Sequence, residues 1–166
     1  VKGMKITKFP QSCLLIETNN KKILVDPGNL KYKEEYFDIW NGVDVIFVTH
    51  KHPDHCNIDV LEKLDKNITI YSTNEVAKTY KNLNIKIINE KDVIEYGKLK
   101  IEVVHAIHGY HPLLKGDKEI YENVGYIIDD GTHRLYITSD TICFKNNYKA
   151  DILCVPVTGY GVTMSA

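Results

Sequence analysis

The stretch Asp44-Val-Ile-Phe-Val-Thr-His-Lys-His-Pro-Asp-His-Cys56 decides how this chain is read. Its apolar run, Val45 to Val48, has the length and β-branched content of a short buried strand. His50, His52, Asp54 and His55 follow at once, four potential metal ligands within six residues. Packing alone does not account for them, because Lys51 and Pro53 lie between the ligands. In extended geometry His50 and His52, two residues apart, project to the same side. Pro53 fixes one φ angle and favours a turn, which would swing Asp54 and His55 to a second position close by. A strand end holds its backbone rigidly, as a precise site requires. Imidazole and carboxylate suit zinc, one ion or two, with manganese or iron as alternatives.

The rest of the composition narrows the class. At 166 residues, a single domain spanning 1–166 with a sizeable core is expected. Hydrophobic content of 43% and charged content of 26% are ordinary for a globular protein in water. The formal net charge of −1 supplies no overall basic field, which argues against nucleic acid as a partner. No apolar run approaches membrane-spanning length, so no membrane partner is expected. Cys13, Cys56, Cys143 and Cys154 form no Cys-x-x-Cys pair. That argues against a zinc ribbon or thioredoxin-type site, and the reducing cytoplasm is the expected compartment. Cys13 and Cys154 lie in apolar runs and read as small core residues. Cys56, directly after His55, reads either as core or as a thiolate touching metal.

Around the central stretch the pattern alternates. Met4 to Phe9, Cys13 to Glu17 and Lys22 to Val25 read as strands, with turns at Pro10-Gln11-Ser12 and Asn19-Asn20. The third ends in Asp26-Pro27-Gly28, where the acid reads first as a turn cap. Lys31 to Trp40 reads as a short helix or a lid-like loop. Asn57 is a candidate N-cap, with Ile58, Leu61 and Leu64 at helical spacing behind it. The positive end of that helix would favour anionic groups, substrate included. Ile68 to Tyr71 reads as a strand, and Thr73 or Asn74 can cap a helix running to about Leu83. Further strands are expected at Ile85 to Ile88, Asp92 to Glu95, Leu99 to Val104, Val124 to Asp129 and Arg134 to Thr138. Asp151 to Val155 reads as one more buried strand. This order places the chain in the α/β class, with strands and helices in layers.

Thr49-His50-Lys51-His52-Pro53-Asp54-His55 resembles the signature of the metallo-β-lactamase-fold hydrolases. Ala106-Ile107-His108 is similar to the family's Ala-x-His after a strand. Ser139-Asp140-Thr141 is similar to its Gly-Asp-Thr, with Ser139 in place of glycine. Pro156 to Met164, with Gly125-Tyr126 and His111-Pro112, resembles one branch, the L-ascorbate-phosphate lactonase-like hydrolases. The resemblance implies an αββα sandwich. It implies that His50, His52 and His108 hold one metal, that Asp54 and His55 begin a second site, and that Asp140 bridges the two. Asp26 is then a supporting residue beside the ligands. His105, His111 and Tyr160 are wall or substrate-facing residues.

The activity implied is hydrolysis of a small-molecule ester, lactone or phosphoester. A metal-bound hydroxide attacks, and Asp54 orients it or carries a proton. A histidine at position 52, where di-iron oxygen-reducing relatives carry glutamate, favours hydrolysis over redox chemistry. Two other readings remain: a phosphodiesterase or nuclease of the same fold, and a non-catalytic metal-binding or regulatory module. In the family the sequence continues beyond the Thr-Met segment to a helix, a strand and a late histidine that completes the second metal site. The resemblance therefore implies that a chain ending at Ala166 lacks its C-terminal elements. The sheet surface so uncovered would invite association into a homo-oligomer.

Overall fold

Three strands joined by tight turns open the fold and are then extended by parallel strands. The computed structural model describes residues 3–109 and 119–157. β1 (Lys5–Lys8), β2 (Leu14–Thr18) and β3 (Lys21–Val25) pair antiparallel in sequence order. The β2–β3 turn is Asn19-Asn20, both residues at positive φ (49° and 58°). That combination matches the twist of a two-residue hairpin, and asparagine tolerates it better than most residues.

From β3 onward the sheet is parallel. β4 (Val45–Phe47), β5 (Thr69–Ser72) and β6 (Ile85–Ile87) follow in order β1-β2-β3-β4-β5-β6. Each parallel step needs a crossover, and α1 (Phe37–Asn41), α2 (Ile58–Leu61) and α3 (Asn74–Thr79) lie in those crossovers. Leu24, Ile46 and Ile70 from the strands, with Val48 just after β4, pack with Trp40, Val60, Leu61 and Val76 in one core. All three residues of β4 are buried, as its unbroken apolar run requires of a central parallel strand.

A second sheet has the order β11-β10-β9-β8-β7. Its strands are β7 (Val93–Tyr96), β8 (Leu99–His105), β9 (Val124–Asp129), β10 (Arg134–Ile137) and β11 (Ile152–Cys154). Pairing is antiparallel except between β10 and β11. The chain divides into two compact units, Val1–Ile88 and Asn89–Ala166, one for each sheet. The mixed α/β class with two sheets and few helices is as the sequence reads.

Several local expectations are corrected. α2 has only four residues, and the Asn57 side chain makes no capping hydrogen bond. So short a helix carries little dipole, and its expected pull on anions falls away. α3 ends at Thr79, with Tyr80 as its cap, short of Leu83. Lys31 to Trp40 contains a 3-10 turn (Glu34–Tyr36) and α1, and Trp40 is buried against Phe9, Tyr32 and Tyr36; it is packed structure rather than a lid. β11 is an edge strand, not a buried one: Leu153 is 58% exposed and Cys154 only partly covered. Among the described residues no helix is long and apolar enough to cross a membrane.

Glycine at the second turn position relieves the left-handed strain. Asn20→Gly is expected to stabilise the first unit by about 0.5 kcal/mol, read as a higher urea midpoint at unchanged slope.

Candidate metal centre

The first unit builds its cluster where two parallel strands end, the usual place for ligands in sheets of this kind. The register pairs Val25 with Phe47, so the residues just beyond, Asp26 and Val48 to His50, come out side by side. Asp26 N–H donates to the Phe47 carbonyl at 2.9 Å. Asp26 itself has φ 50°, a left-handed conformation costing about 1 kcal/mol outside glycine. Such strain is typical of places where a side chain must be aimed.

The fully buried Asp26 carboxylate accepts three hydrogen bonds. Thr49 N–H donates to Oδ1 at 2.8 Å, and the Thr49 hydroxyl and His55 Nδ1 both reach Oδ2 at 2.8 Å. A carboxylate only accepts, so His55 carries its proton on Nδ1 and presents Nε2 as a lone pair. Thr49 has one hydroxyl proton, and it goes to Asp26. Its oxygen must therefore accept from His50 Nδ1, 3.0 Å away. His50 thus also presents a bare Nε2. One carboxylate sets the tautomers of two imidazoles, the arrangement that orients histidine ligands in metal sites.

The donor set fits a metal ion. His50 Nε2 lies 3.2 Å from His52 Nδ1. A tetrahedral ion with nitrogen ligands at about 2.0–2.1 Å separates them by about 3.3–3.4 Å. With a proton on His52 Nδ1 the contact is a hydrogen bond; without it, the pair offers two lone pairs to one cation. The His50 and His55 rings lie 4.1 Å apart between centroids, and Asp54 Oδ2 is 3.8 Å from His55 Nε2. The structure thus brings His50, His52, Asp54, His55 and Asp26 together. Neutral imidazoles with a carboxylate suit zinc, and they suit manganese or iron less selectively.

Two residues that escaped the sequence reading hold this loop. Thr49 is the relay between Asp26 and His50. Gly28 is where two backbone segments meet: a Cβ there would lie 1.7 Å from the Asp54 carbonyl oxygen. The Asp26-Pro27-Gly28 segment is laced to the loop by Asn57 N–H to Pro27 O at 2.8 Å and Asn29 N–H to Pro53 O at 2.9 Å. Pro-Gly alone signals a turn; only the fold reveals the close approach. Cys56 faces away from any ligand role. It is fully buried in the apolar core, and burial, then the Asp26 charge, push its thiol well above the ordinary range.

The second unit carries the remaining candidates. His108 follows β8, and its Nδ1 donates to the Gly109 carbonyl at 2.9 Å, leaving Nε2 as the lone-pair nitrogen. Asp140 follows β10 on a loop tied to the His108 segment. Ile107 N–H donates to the Thr141 hydroxyl at 2.9 Å, and Ile142 N–H to the Ile107 carbonyl at 2.8 Å. Ser139 has φ 64°, which explains why glycine suits this position. Its hydroxyl donates to Asn123 Oδ1 at 2.7 Å, while Asn123 Nδ2 donates to the Asp140 carbonyl at 2.8 Å. His105 Nδ1 lies 2.9 Å from Glu90 Oε2 at a half-exposed position, and its ring meets Phe144 edge-on. His111 and Tyr160 lie outside the described residues.

Residues 5–166 match the family described as the β-lactamase superfamily domain, and the chain belongs to that family. A UPF0173 metal-dependent hydrolase of Nanoarchaeum equitans is 28% identical over 164 residues, covering 94% of this chain and 72% of that protein. Protein Rv0786c of Mycobacterium tuberculosis is 27% identical over 163 residues, 92% of this chain and 71% of its own length. Among solved structures, Igni18, a metallo hydrolase from the archaeon Ignicoccus hospitalis, superposes with a TM-score of 0.74 at 23% identity. It covers 98% of this chain and 73% of that one. The last likeness concerns the fold alone.

Two variants test the arrangement. Gly28→Ala is expected to cost about 3 kcal/mol in urea unfolding, since backbone must move to admit the methyl group. Asp26→Asn places an N–H₂ group opposite Thr49 and His55. The expected result is a folded protein with His55 in the other tautomer, visible in its imidazole nitrogen NMR shifts.

Proposed function

We propose that this chain, a metal-dependent hydrolase of the metallo-β-lactamase fold by its family, cleaves a small-molecule ester, lactone or phosphoester. The observation that carries the reading is the Asp26–Thr49 network, which turns the Nε2 lone pairs of both His50 and His55 outward. On this reading His50, His52 and His108 hold one ion, Asp54 and His55 hold a second, and Asp140 bridges them. Zinc is the ion proposed. Once bound, the metal supplies positive charge and water acidified toward neutrality.

The chain's own residues do the rest. Thr49 and Asp26 hold the imidazoles with Nδ1 as the donor and Nε2 turned outward, so binding requires no tautomer change. Asp54, with its side chain 36% exposed, is accessible enough to orient the attacking water or to pass its proton to the leaving oxygen. The buried carboxylate of Asp26 is committed to three donors and is not a proton carrier. A net charge of −1 gives no general attraction for polyphosphate backbones, which favours a small substrate over nucleic acid. A reducing cytoplasmic setting and self-association of the chain are further parts of this proposal.

The test is metal content per chain by elemental analysis on protein purified without chelator, alongside a panel of lactones, esters and phosphodiesters. Substoichiometric metal in His50→Ala and His108→Ala, and loss of about one ion in Asp140→Asn, are expected, with hydrolysis reduced at least about a hundredfold. Wild-type metal content in His50→Ala, or hydrolysis undiminished by chelation, would sink the reading.

A further inference from the structure

Lys51 stands between His50 and His52 and is gripped twice by one neighbouring element. Its Nζ lies 2.9 Å from Glu75 Oε1 within α3, and both side chains are only 12% exposed. Its carbonyl accepts from the hydroxyl of Tyr80, the residue that caps α3, at 2.7 Å. The start of the same segment is tied as well, for Ser72 at the end of β5 donates its hydroxyl to the Val48 carbonyl at 2.8 Å. Asp26 holds Thr49 and His55, and α3 holds Lys51 between the two paired histidines.

An ion pair this dry is a poor source of stability, because desolvating both charges costs about as much as their attraction returns. Its use is better sought in what it places. The chain bends at His50 and Lys51, and residue 51 is the link between 50 and 52, so holding it by side chain and carbonyl fixes where its two neighbours emerge. The 3.2 Å approach of His50 Nε2 to His52 Nδ1 depends on that placement. Tyr80 suits the task because its phenol stays protonated and donating: burial, then Cys56 and Asp54, raise its pKa to about 12.

We propose that Glu75 and Tyr80 are positioning residues of the metal centre, setting the His50–His52 spacing by clamping Lys51. The proposal rests on the reading of His50 and His52 as ligands. Neither residue touches the ion or the substrate; both act through the backbone and side chain of Lys51. Loss of either grip lets the His-Lys-His segment relax, so that the two nitrogens no longer meet one cation without cost.

The experiment is titration of the metal-free protein with cobalt(II), followed by its visible d–d absorption, on wild type, Tyr80→Phe, Glu75→Gln, His50→Ala and Lys78→Ala. Lys78 is an exposed residue of α3 and controls for changes to the helix as such. Tyr80→Phe and Glu75→Gln keep the shape of the side chains they replace. Each is expected to weaken cobalt binding about tenfold, the lower end for removing an outer partner of a ligand, and to shift the d–d envelope. The thermal midpoint of the metal-free form should stay close to that of Lys78→Ala. If wild type and His50→Ala bind cobalt alike, the metal-centre reading fails and takes this proposal with it. If His50→Ala loses cobalt while Tyr80→Phe and Glu75→Gln bind with wild-type affinity and spectrum, only the clamp is overturned. Weaker binding that merely follows a lowered metal-free midpoint, with an unchanged spectrum, overturns it too, since that is general destabilisation.

Discussion

The buried carboxylate of Asp26 is the constraint on which the first unit's site depends. A charge with no exposure to water is tolerated only if its lone pairs are satisfied, and here three donors meet it. Those donors come from the end of β4 and from the loop beyond it. One side chain at the end of β3 therefore ties the strand end, the relay residue Thr49 and the imidazole of His55 into one body. Parallel pairing makes this possible, because it delivers the ends of β3 and β4 to the same edge in matching register.

The chemical consequence is preorganisation. Histidine has two tautomers, and only one exposes a given nitrogen to a cation. Asp26 and Thr49 choose that tautomer for His50 and His55 by hydrogen bonds to Nδ1, on the side of each ring away from Nε2. The loop is then held from another direction by α3, whose Glu75 and Tyr80 grip the residue between the paired histidines. In the second unit His108 is oriented by a backbone carbonyl instead. The left-handed Ser139 lets the chain turn sharply just before Asp140. Both units thus rely on a non-glycine residue at positive φ near a candidate ligand, Asp26 in one and Ser139 in the other.

Much of the fold was legible because its signals are local. Alternation and β-branched runs mark strands within a residue or two, and Val124–Asp129 has the bounds read from the sequence. The helices were less legible. Ile58, Leu61 and Leu64 have helical spacing, yet α2 stops after Leu61, since apolar spacing alone does not specify where a helix ends. β11 misled for a related reason: an apolar run reports a tendency to be covered, not whether anything covers it. At the site, His50, His52, Asp54 and His55 were legible by chemistry and spacing. Thr49, Gly28, Glu75 and Tyr80 were not, because the role of each depends on a residue that it meets only through tertiary contact, Asp26 in the case of Thr49.

By itself the sequence determined the inventory of candidate ligands, the strands that carry it and the class of fold. Those follow from side-chain chemistry and from periodicities of a few residues. Only the tertiary structure decided which atoms of those side chains are offered, since a tautomer depends on a partner 23 or 29 residues away in the chain. It also decided why position 28 must lack a side chain, and why a tyrosine at the end of one helix bears on a histidine 28 residues earlier. Hydrogen bonds and steric contacts act over a few ångströms of space, and folding alone brings such distant residues within that range.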